Sequence, residues 1–226
     1  MWTGAPALAQ PFELVVKKDH FFGSSDGTLV FGAERVVYET VDTDDARQRA
    51  YEEIKQVQIL SPTRLTIKTY EDQGWMRFGA DRTFEFEVTE GAASPDLVAF
   101  LWDHLDLPVV AAVLPAAGAP PRLTVPVKLR QRLQGSHGVV QLYEDRLVYV
   151  TDRAEHGRAW RPADLRMVYQ PDRHRLNIDA YEGGGDRTRT FSFDLKQPLP
   201  AGFLESVWQW VYTPSMPRVE DRDGSR

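Results

Sequence analysis

The amino-acid sequence predicts a mainly β protein with helices, in which two copies of a bent antiparallel barrel are each closed by a C-terminal helix. The first observation is internal similarity, because residues 27–40, GTLVFGAERVVYET, recur 111 positions later at 138–151 as GVVQLYEDRLVYVT. The second is the alternation of polar and apolar residues that is typical of half-buried strands, and the third is an amphipathic segment ending each copy. A period near 110 residues indicates two domains rather than a solenoid repeat.

The similarity extends along most of both copies. Residues 49–51, Arg-Ala-Tyr, match 158–160, Arg-Ala-Trp, and residues 65–71 match 176–182. The resulting domain boundaries are a disordered end or signal-peptide remnant at 1–10, a first domain at 11–107, an Ala/Pro-rich linker at 108–120, a second domain at 121–212 and a disordered tail at 213–226. The linker composition predicts a semi-stiff spacer.

Strands are predicted in the first copy where β-branched and aromatic residues cluster or alternate with polar ones. The predicted strands are 12–17, 27–31, 35–40, 50–60, 64–70 and 83–88. Residues 42–48 are polar and are predicted to form a loop. Ser61 and Pro62 should end a strand, because proline cannot donate a hydrogen bond to a sheet ladder. The second copy is predicted to begin with a strand at 121–128.

Each copy is predicted to end in a helix. In the first copy Ser94 is a good N-cap residue and Pro95 a good first residue. An apolar stripe follows at helical spacing, formed by Leu97, Phe100, Leu101 and Leu105. In the second copy the helix is predicted to open at Pro200, and the tryptophans at helical spacing are predicted to be core residues: Trp102, Trp208 and Trp210.

The composition argues against several classes of function. The chain has 33 Asp and Glu against 27 Lys and Arg, a net charge of −6, which makes it a poor candidate for nucleic-acid binding. It has no cysteine, so thiolate chemistry, disulfides and Cys-based zinc sites are excluded. No apolar run approaches the roughly 20 residues that cross a bilayer. The charge is uneven: residues 20–107 carry 8 basic against 17 acidic residues, whereas residues 137–213 carry 10 against 11.

Localisation depends on the first ten residues. The run Ala7-Leu8-Ala9 has the small-x-small form of a signal-peptidase site, although the charged and apolar segments that precede such a site are missing. A genuine site would make the protein periplasmic or secreted, and otherwise the stretch is a flexible end of a cytoplasmic protein. Both interpretations stay open. Arg outnumbers Lys 21 to 6, which favours a bacterial source with a GC-rich genome.

The order of the predicted elements resembles the pleckstrin-homology (PH) superfold, and it is most similar to bacterial PH-like and GRAM-type domains. The resemblance is carried by the Gly-x-Leu strand at Gly27, the Arg-Val-Val-Tyr run at 35–38, the Phe-x-Phe pair at 84–86 and the tryptophan-bearing final helix. It implies a seven-stranded bent antiparallel barrel with a helix plugging one end. It also implies a non-catalytic module that binds phospholipid head groups or protein segments, with no cofactor.

A basic row is the first candidate binding site. Lys128, Arg130 and Arg132 are spaced by two, which on a strand places their charges on one face. There they could bind a phosphate or an anionic membrane surface. Arg158 could add to this row. The pattern departs from the family's phosphoinositide motif, because no long loop separates the lysine from the arginines. A solvated strand face is the alternative interpretation.

The second candidate is Trp75, which lies in a polar loop and is predicted either to be an exposed contact residue or to pack between the copies. We find no His, Asp or Glu pattern with metal-ligand spacing, and no polar cluster that one copy holds and the other lacks beyond an excess of arginine in the second copy. The sequence therefore predicts a non-enzymatic binding or scaffolding protein. Its sheet edges and inter-domain groove would contact an unidentified protein partner, or, alternatively, its basic strand would contact an anionic lipid surface.

Overall fold

The computed structural model describes most of the chain, namely residues 11–19, 24–72, 81–106, 108–112, 114, 118–131, 135–182 and 187–212. Strands dominate these residues, and two helices accompany them. The prediction of a mainly β fold with helices is therefore confirmed.

Seven antiparallel strands form the first unit. They are β1 Phe12–Asp19, β2 Ser24–Phe31, β3 Arg35–Thr40, β4 Arg47–Ala50, β5 Ile54–Ser61, β6 Arg64–Asp72 and β7 Asp81–Glu90. Their hydrogen-bonded order is β5-β6-β7-β1-β2-β3-β4. Registers shift by bulges within the β1–β7, β5–β6 and β6–β7 pairs, and bulges bend strands.

The prediction of one strand at 50–60 was wrong. A turn of 3-10 helix at Tyr51–Glu53 separates β4 from β5. The Glu53 carboxylate accepts a hydrogen bond from the Ala50 backbone N–H at 2.9 Å, so a side chain takes the place of a strand partner here. The break predicted at Ser61 is confirmed, because β5 ends at that residue.

Helix α1, Pro95–His104, closes the first unit as its sequence predicted. The Ser94 hydroxyl accepts a hydrogen bond from the Leu97 backbone N–H at 3.2 Å, so the predicted cap forms. Leu97 and Leu101 are buried in the apolar core of the unit. The chain then continues into a short strand, β8 Val109–Ala111, which pairs with β5 in parallel.

The second unit repeats the strand order of the first. Its strands are β9 Leu123–Leu129, β10 Ser136–Leu142, β11 Leu147–Thr151, β12 Arg158–Trp160, β13 Leu165–Asp172, β14 Arg175–Ala180 and β15 Arg189–Leu195. They are ordered β13-β14-β15-β9-β10-β11-β12. Helix α2, Phe203–Tyr212, follows a turn that includes Gly202, so it begins three residues after the predicted start at Pro200.

Strand β8 joins the two units into one sheet of fifteen strands among the described residues. Its other edge pairs with β12, where Ala111 lies opposite Ala159. The stretch predicted to be a spacer thus contains a strand whose three residues are all buried. The apolar core of the first unit continues across β8 to Tyr143 and Val148, and the Gln56 side chain donates to the Tyr181 carbonyl at 2.6 Å. The seam between the units is therefore packed and hydrogen-bonded.

A tyrosine in each unit makes the same contact with an equivalent serine. The Tyr38 hydroxyl donates to the Ser25 carbonyl at 2.9 Å, and the Tyr149 hydroxyl donates to the Ser136 carbonyl at 3.0 Å. Tyr149 lies 111 positions after Tyr38, and Ser136 lies 111 positions after Ser25, which is the spacing of the similar segments in the sequence. This constant offset allows a residue of one unit to be matched with its counterpart in the other.

The strand register corrects one detail of the sequence comparison. Val36 of β3 lies opposite Arg49, and Leu147 of β11 lies opposite Trp160. Because Val36 and Leu147 are counterparts, Trp160 takes the place of Arg49. The match of Arg49 with Arg158 was therefore wrong by two residues.

Candidate binding groove

The second unit holds a segment of the first in a groove beside β12. The Arg161 guanidinium donates to the carbonyl oxygens of Trp102 at 2.8 Å and Leu105 at 2.9 Å. It also lies 5.7 Å from the centre of the Trp102 ring. Farther along, Ala111 pairs with Ala159 of β12. Residues 102–106 and 108–111 thus lie along the edge of the second unit.

A buried carboxylate completes this contact. Asp164 is 2% exposed, and its Oδ1 accepts a hydrogen bond from the Val109 backbone N–H at 3.1 Å. Its Oδ2 accepts the Arg161 backbone N–H at 2.8 Å. Burial raises the pKa of the Asp164 carboxyl, and the Arg161 guanidinium beside it opposes that rise. Arg161 and Asp164 together offer a donor to the carbonyls of the segment and an acceptor to one of its N–H groups.

The first unit contains the counterpart of this groove, beside β4. Ala50 and Glu53 are the counterparts of Arg161 and Asp164, and the Ala50 N–H bonds the Glu53 carboxylate as the Arg161 N–H bonds Asp164. Gln48 of β4 is the counterpart of Ala159. The described part of the chain leaves a groove of about 800 Å³ here. We call it the β4 groove, and its polar lining is Glu34, Arg35, Gln48, Arg49, Glu52 and Glu53.

Two aromatic side chains complete the lining of the β4 groove. The Tyr51 hydroxyl donates to the Gly32 carbonyl at 2.7 Å, and burial raises the pKa of Tyr51 to about 12. The His104 ring stacks on Phe100 at 3.9 Å, and its Nδ1 lies 2.8 Å from the Phe100 carbonyl oxygen. Both rings are therefore fixed by the fold before any partner arrives, which lowers the entropy cost of binding.

The strand order identifies β4 as an edge. The two ends of the sheet are β13 and β4, since β5 and β12 are covered by β8. At the β13 end, the Trp208 indole N–H donates to the Val168 carbonyl at 2.7 Å. Trp208 is 41% exposed, so its prediction as a core residue was wrong, and it occupies one carbonyl of that edge. At the β4 edge, the Arg49 guanidinium likewise donates to the Gln48 carbonyl at 3.0 Å, and β4 is the edge strand that lies beside the groove.

A buried polar cluster in the first unit was missed by sequence reasoning. The Lys18 ammonium and the Ser25 hydroxyl both bond the Asp45 carboxylate, and the Ser25 hydroxyl lies 2.9 Å from the Tyr38 hydroxyl. Lys18 is 5% exposed. It continues the inward alternation of Leu14, Val16 and Lys18 along β1, which is the signal that could have found it.

This cluster differs between the units. The counterparts of Lys18 and Asp45 in the second unit are Leu129 and His156, so only the first unit has the ion pair. The adjoining cavity has a volume of about 30 Å³, which is room for about two water molecules. The cluster is therefore internally hydrogen-bonded and beside a cavity too small for a substrate, and its geometry supports a structural role.

The predicted basic row is only partly described. Lys128 lies on β9 opposite Asp194 of β15, and the Arg130 guanidinium is 3.8 Å from the Asp194 carboxylate. Half of the Arg130 side chain is exposed, so it can still meet solvent or an anion. Arg132 and Trp75 lie outside the described residues.

Arg158 does not face solvent with that row. Its side chain is 7% exposed, and its Nε donates to the Glu182 carboxylate at 3.2 Å. Glu182 is 5% exposed and also accepts the Trp160 indole N–H at 2.9 Å. The guanidinium of Arg158 further donates to the carbonyl of Glu155 at 3.0 Å. The structure therefore places Arg158 in an internal ion pair.

Comparisons with known proteins add little to these observations. No protein-family profile and no curated protein matches the sequence. One solved structure with a similar arrangement is described as the Spt16D Pob3N heterodimer, with 8% sequence identity and a TM-score of 0.30 over 77% of this chain and 85% of that one. Among the described residues, no helix is long and apolar enough to span a membrane, and no group of three or more His, Asp or Glu could hold a metal ion.

Proposed function

We propose that this chain is a non-enzymatic binding and scaffolding protein, built from two PH-like units, that takes an extended segment of a protein partner on its β4 edge. The observation that carries the proposal is the occupied groove of the second unit. There the same local structure already holds the C-terminal end of α1 and strand β8 through backbone hydrogen bonds and strand pairing. Strand addition to a sheet edge is a common mode of peptide recognition, because main-chain hydrogen bonds supply affinity.

A peptide copied from the natural occupant tests this function. The neutral probe is a fluorescent, end-capped peptide with the sequence of residues 102–112 in which serine replaces Asp103 and Asp106. We expect it to bind the full chain with a dissociation constant of about 100 µM, or roughly −5.5 kcal/mol, measured by anisotropy. The Ala50→Arg/Glu53→Asp variant copies Arg161 and Asp164 into the β4 groove and should bind this probe several-fold more tightly.

Two controls make the experiment specific to the β4 groove. Ala201→Arg adds the same charge at an exposed position before α2 and should leave the affinity unchanged. Glu53→Lys removes the carboxylate acceptor and should weaken binding at least fivefold, with the urea unfolding curve confirming that the variant is folded. Equal affinity of Glu53→Lys and the unmodified chain for the probe, or no binding by either, would refute the proposed function.

Binding to an anionic lipid surface through the basic strand is the second candidate. The half-exposed Arg130 favours it, whereas the Asp194 carboxylate beside that residue weakens the local positive potential. We expect no salt-dependent co-sedimentation of the chain with anionic liposomes beyond that with neutral ones, and no change in Arg130→Glu. Binding to anionic liposomes alone that Arg130→Glu abolishes would instead support the lipid candidate.

A further inference from the structure

We infer that the segment taken by the β4 groove is basic, an inference that rests on the proposed function and names the chemistry of its partner. The segment would lie antiparallel to β4, as β8 lies antiparallel to β12. Its central residues would be small or β-branched, like Val109–Ala111 at the corresponding edge. Lysine or arginine side chains would flank this centre.

The charges that line the β4 groove carry the inference. The lining contains three acidic side chains, Glu34, Glu52 and Glu53, and two basic ones, Arg35 and Arg49. The Arg35 guanidinium lies 3.7 Å from the Glu34 carboxylate, so that pair is nearly neutral.

Arg49 is partly neutralised from outside the groove. Its guanidinium bonds the Glu71 carboxylate, which also bonds Arg82. Burial alone would raise the pKa of Glu71, but these two guanidinium groups lower it below its usual value, so the carboxylate is ionised at neutral pH. The lining thus has three carboxylates against two guanidinium groups, an excess of one negative charge, and the exposed Glu52 and Glu53 present this charge to a partner.

The contrast with the second unit supports the same conclusion. Arg161 contacts the segment there through the Trp102 and Leu105 carbonyls, and its charge is paired with the Asp164 carboxylate. In the first unit alanine replaces this arginine, at Ala50, so the β4 groove lacks a cation at this position. The Glu53 carboxylate therefore has no cation beside it at the position where Arg161 lies beside Asp164.

The whole first unit strengthens this preference at longer range. Residues 20–107 carry 8 basic and 17 acidic residues, a net charge of −9, whereas residues 137–213 carry 10 and 11, a net charge of −1. Such a field attracts cationic segments, repels anionic ones and is screened by salt within about 10 Å at 0.1 M. The net charge of the first unit thus favours a basic segment in the β4 groove without further direct contacts.

Three peptides that differ at two positions test the inference. Each has the sequence of residues 102–112, with serine, lysine or glutamate at both positions 103 and 106. At about 20 mM salt we expect the lysine peptide to bind the full chain roughly fivefold more tightly than the serine peptide, and the glutamate peptide to bind correspondingly more weakly. At about 300 mM salt the differences should shrink to roughly twofold.

A variant without the two exposed carboxylates of the β4 groove shows whether they cause the preference for the lysine peptide. Glu52→Gln/Glu53→Gln keeps oxygen acceptors at both positions, so it should bind the serine peptide as the unmodified chain does. The ratio of its affinities for the lysine and serine peptides should fall to about half or less of the ratio for the unmodified chain. Glu85→Gln/Glu87→Gln removes two exposed carboxylates of β7 instead and should keep most of that preference.

The three peptides distinguish a failure of the inference that the segment is basic from a failure of the proposed function. If the serine peptide binds and the lysine and glutamate peptides bind equally well, the inference is overturned and the proposed function stands. If none of the three binds, the proposed function fails with it. A gain in affinity for all three peptides on removal of residues 1–10, or a concentration-dependent dimer that the peptides dissociate, would show that the chain itself occupies the groove and would also overturn the inference.

Discussion

Replacing Glu182 with alanine should lower the free energy of unfolding by about 3–5 kcal/mol, because it leaves a buried guanidinium without its carboxylate. Both side chains of the Arg158–Glu182 pair are less than one tenth exposed. The substitution also removes the acceptor of the Trp160 indole N–H. Urea unfolding followed by circular dichroism measures the effect.

Glu71→Ala is the matched control for Glu182→Ala. Glu71 also binds two arginines, Arg49 and Arg82, but its side chain is 39% exposed. Water can replace its contacts, so the expected loss is below about 1 kcal/mol. Equal losses for the two variants would contradict the view that Arg158 serves the interior of the second unit rather than a ligand.

Replacing Gly138 with alanine should destabilise the second unit by about 3 kcal/mol or more. A Cβ atom at this position would lie 2.1 Å from the Val150 carbonyl oxygen and 2.9 Å from the Thr151 Cα, and both are backbone atoms of the paired strand. Backbone in a paired strand cannot move without breaking the ladder, so the clash has no inexpensive relief. Unfolding in urea gives the size of the loss.

The chain offers a control in Gly118. A Cβ atom there would meet no atom of the described residues within 4 Å, so Gly118→Ala should change stability by less than about 0.5 kcal/mol. Gly27 is the counterpart of Gly138, and its Cβ would lie 2.3 Å from the Glu39 carbonyl oxygen, so Gly27→Ala should affect the first unit in the same way. Tolerance of alanine at both positions would show that the β2–β3 and β10–β11 pairs are not as close as described.

Local sequence signals predicted most of the secondary structure. Alternation predicted the strands at 64–70 and 83–88, which the structure extends by a few residues at their ends. The Ser94 cap predicted the start of α1. These features depend on neighbours in sequence, which is why one sequence was enough to find them.

Features that depend on distant contacts were not predictable in this way. The short strand β8 is apolar but has no period of its own, and it forms because β5 and β12 both present edges to it. The β4 groove became visible only when the strand register matched Ala50 with Arg161. The burial of Arg158 likewise depends on Glu182, which lies 24 residues away in the chain.

Hydrogen exchange at β4 tests the central claim most directly. The full chain is labelled in deuterated buffer alone and with a saturating concentration of the lysine peptide, and the exchange of segments covering β4 and β13 is compared. Strand addition at the β4 groove predicts that exchange slows within Arg47–Ala50 and stays unchanged within Leu165–Asp172, because only the former gains main-chain hydrogen bonds. Binding of the peptide without protection of Arg47–Ala50 would contradict the account.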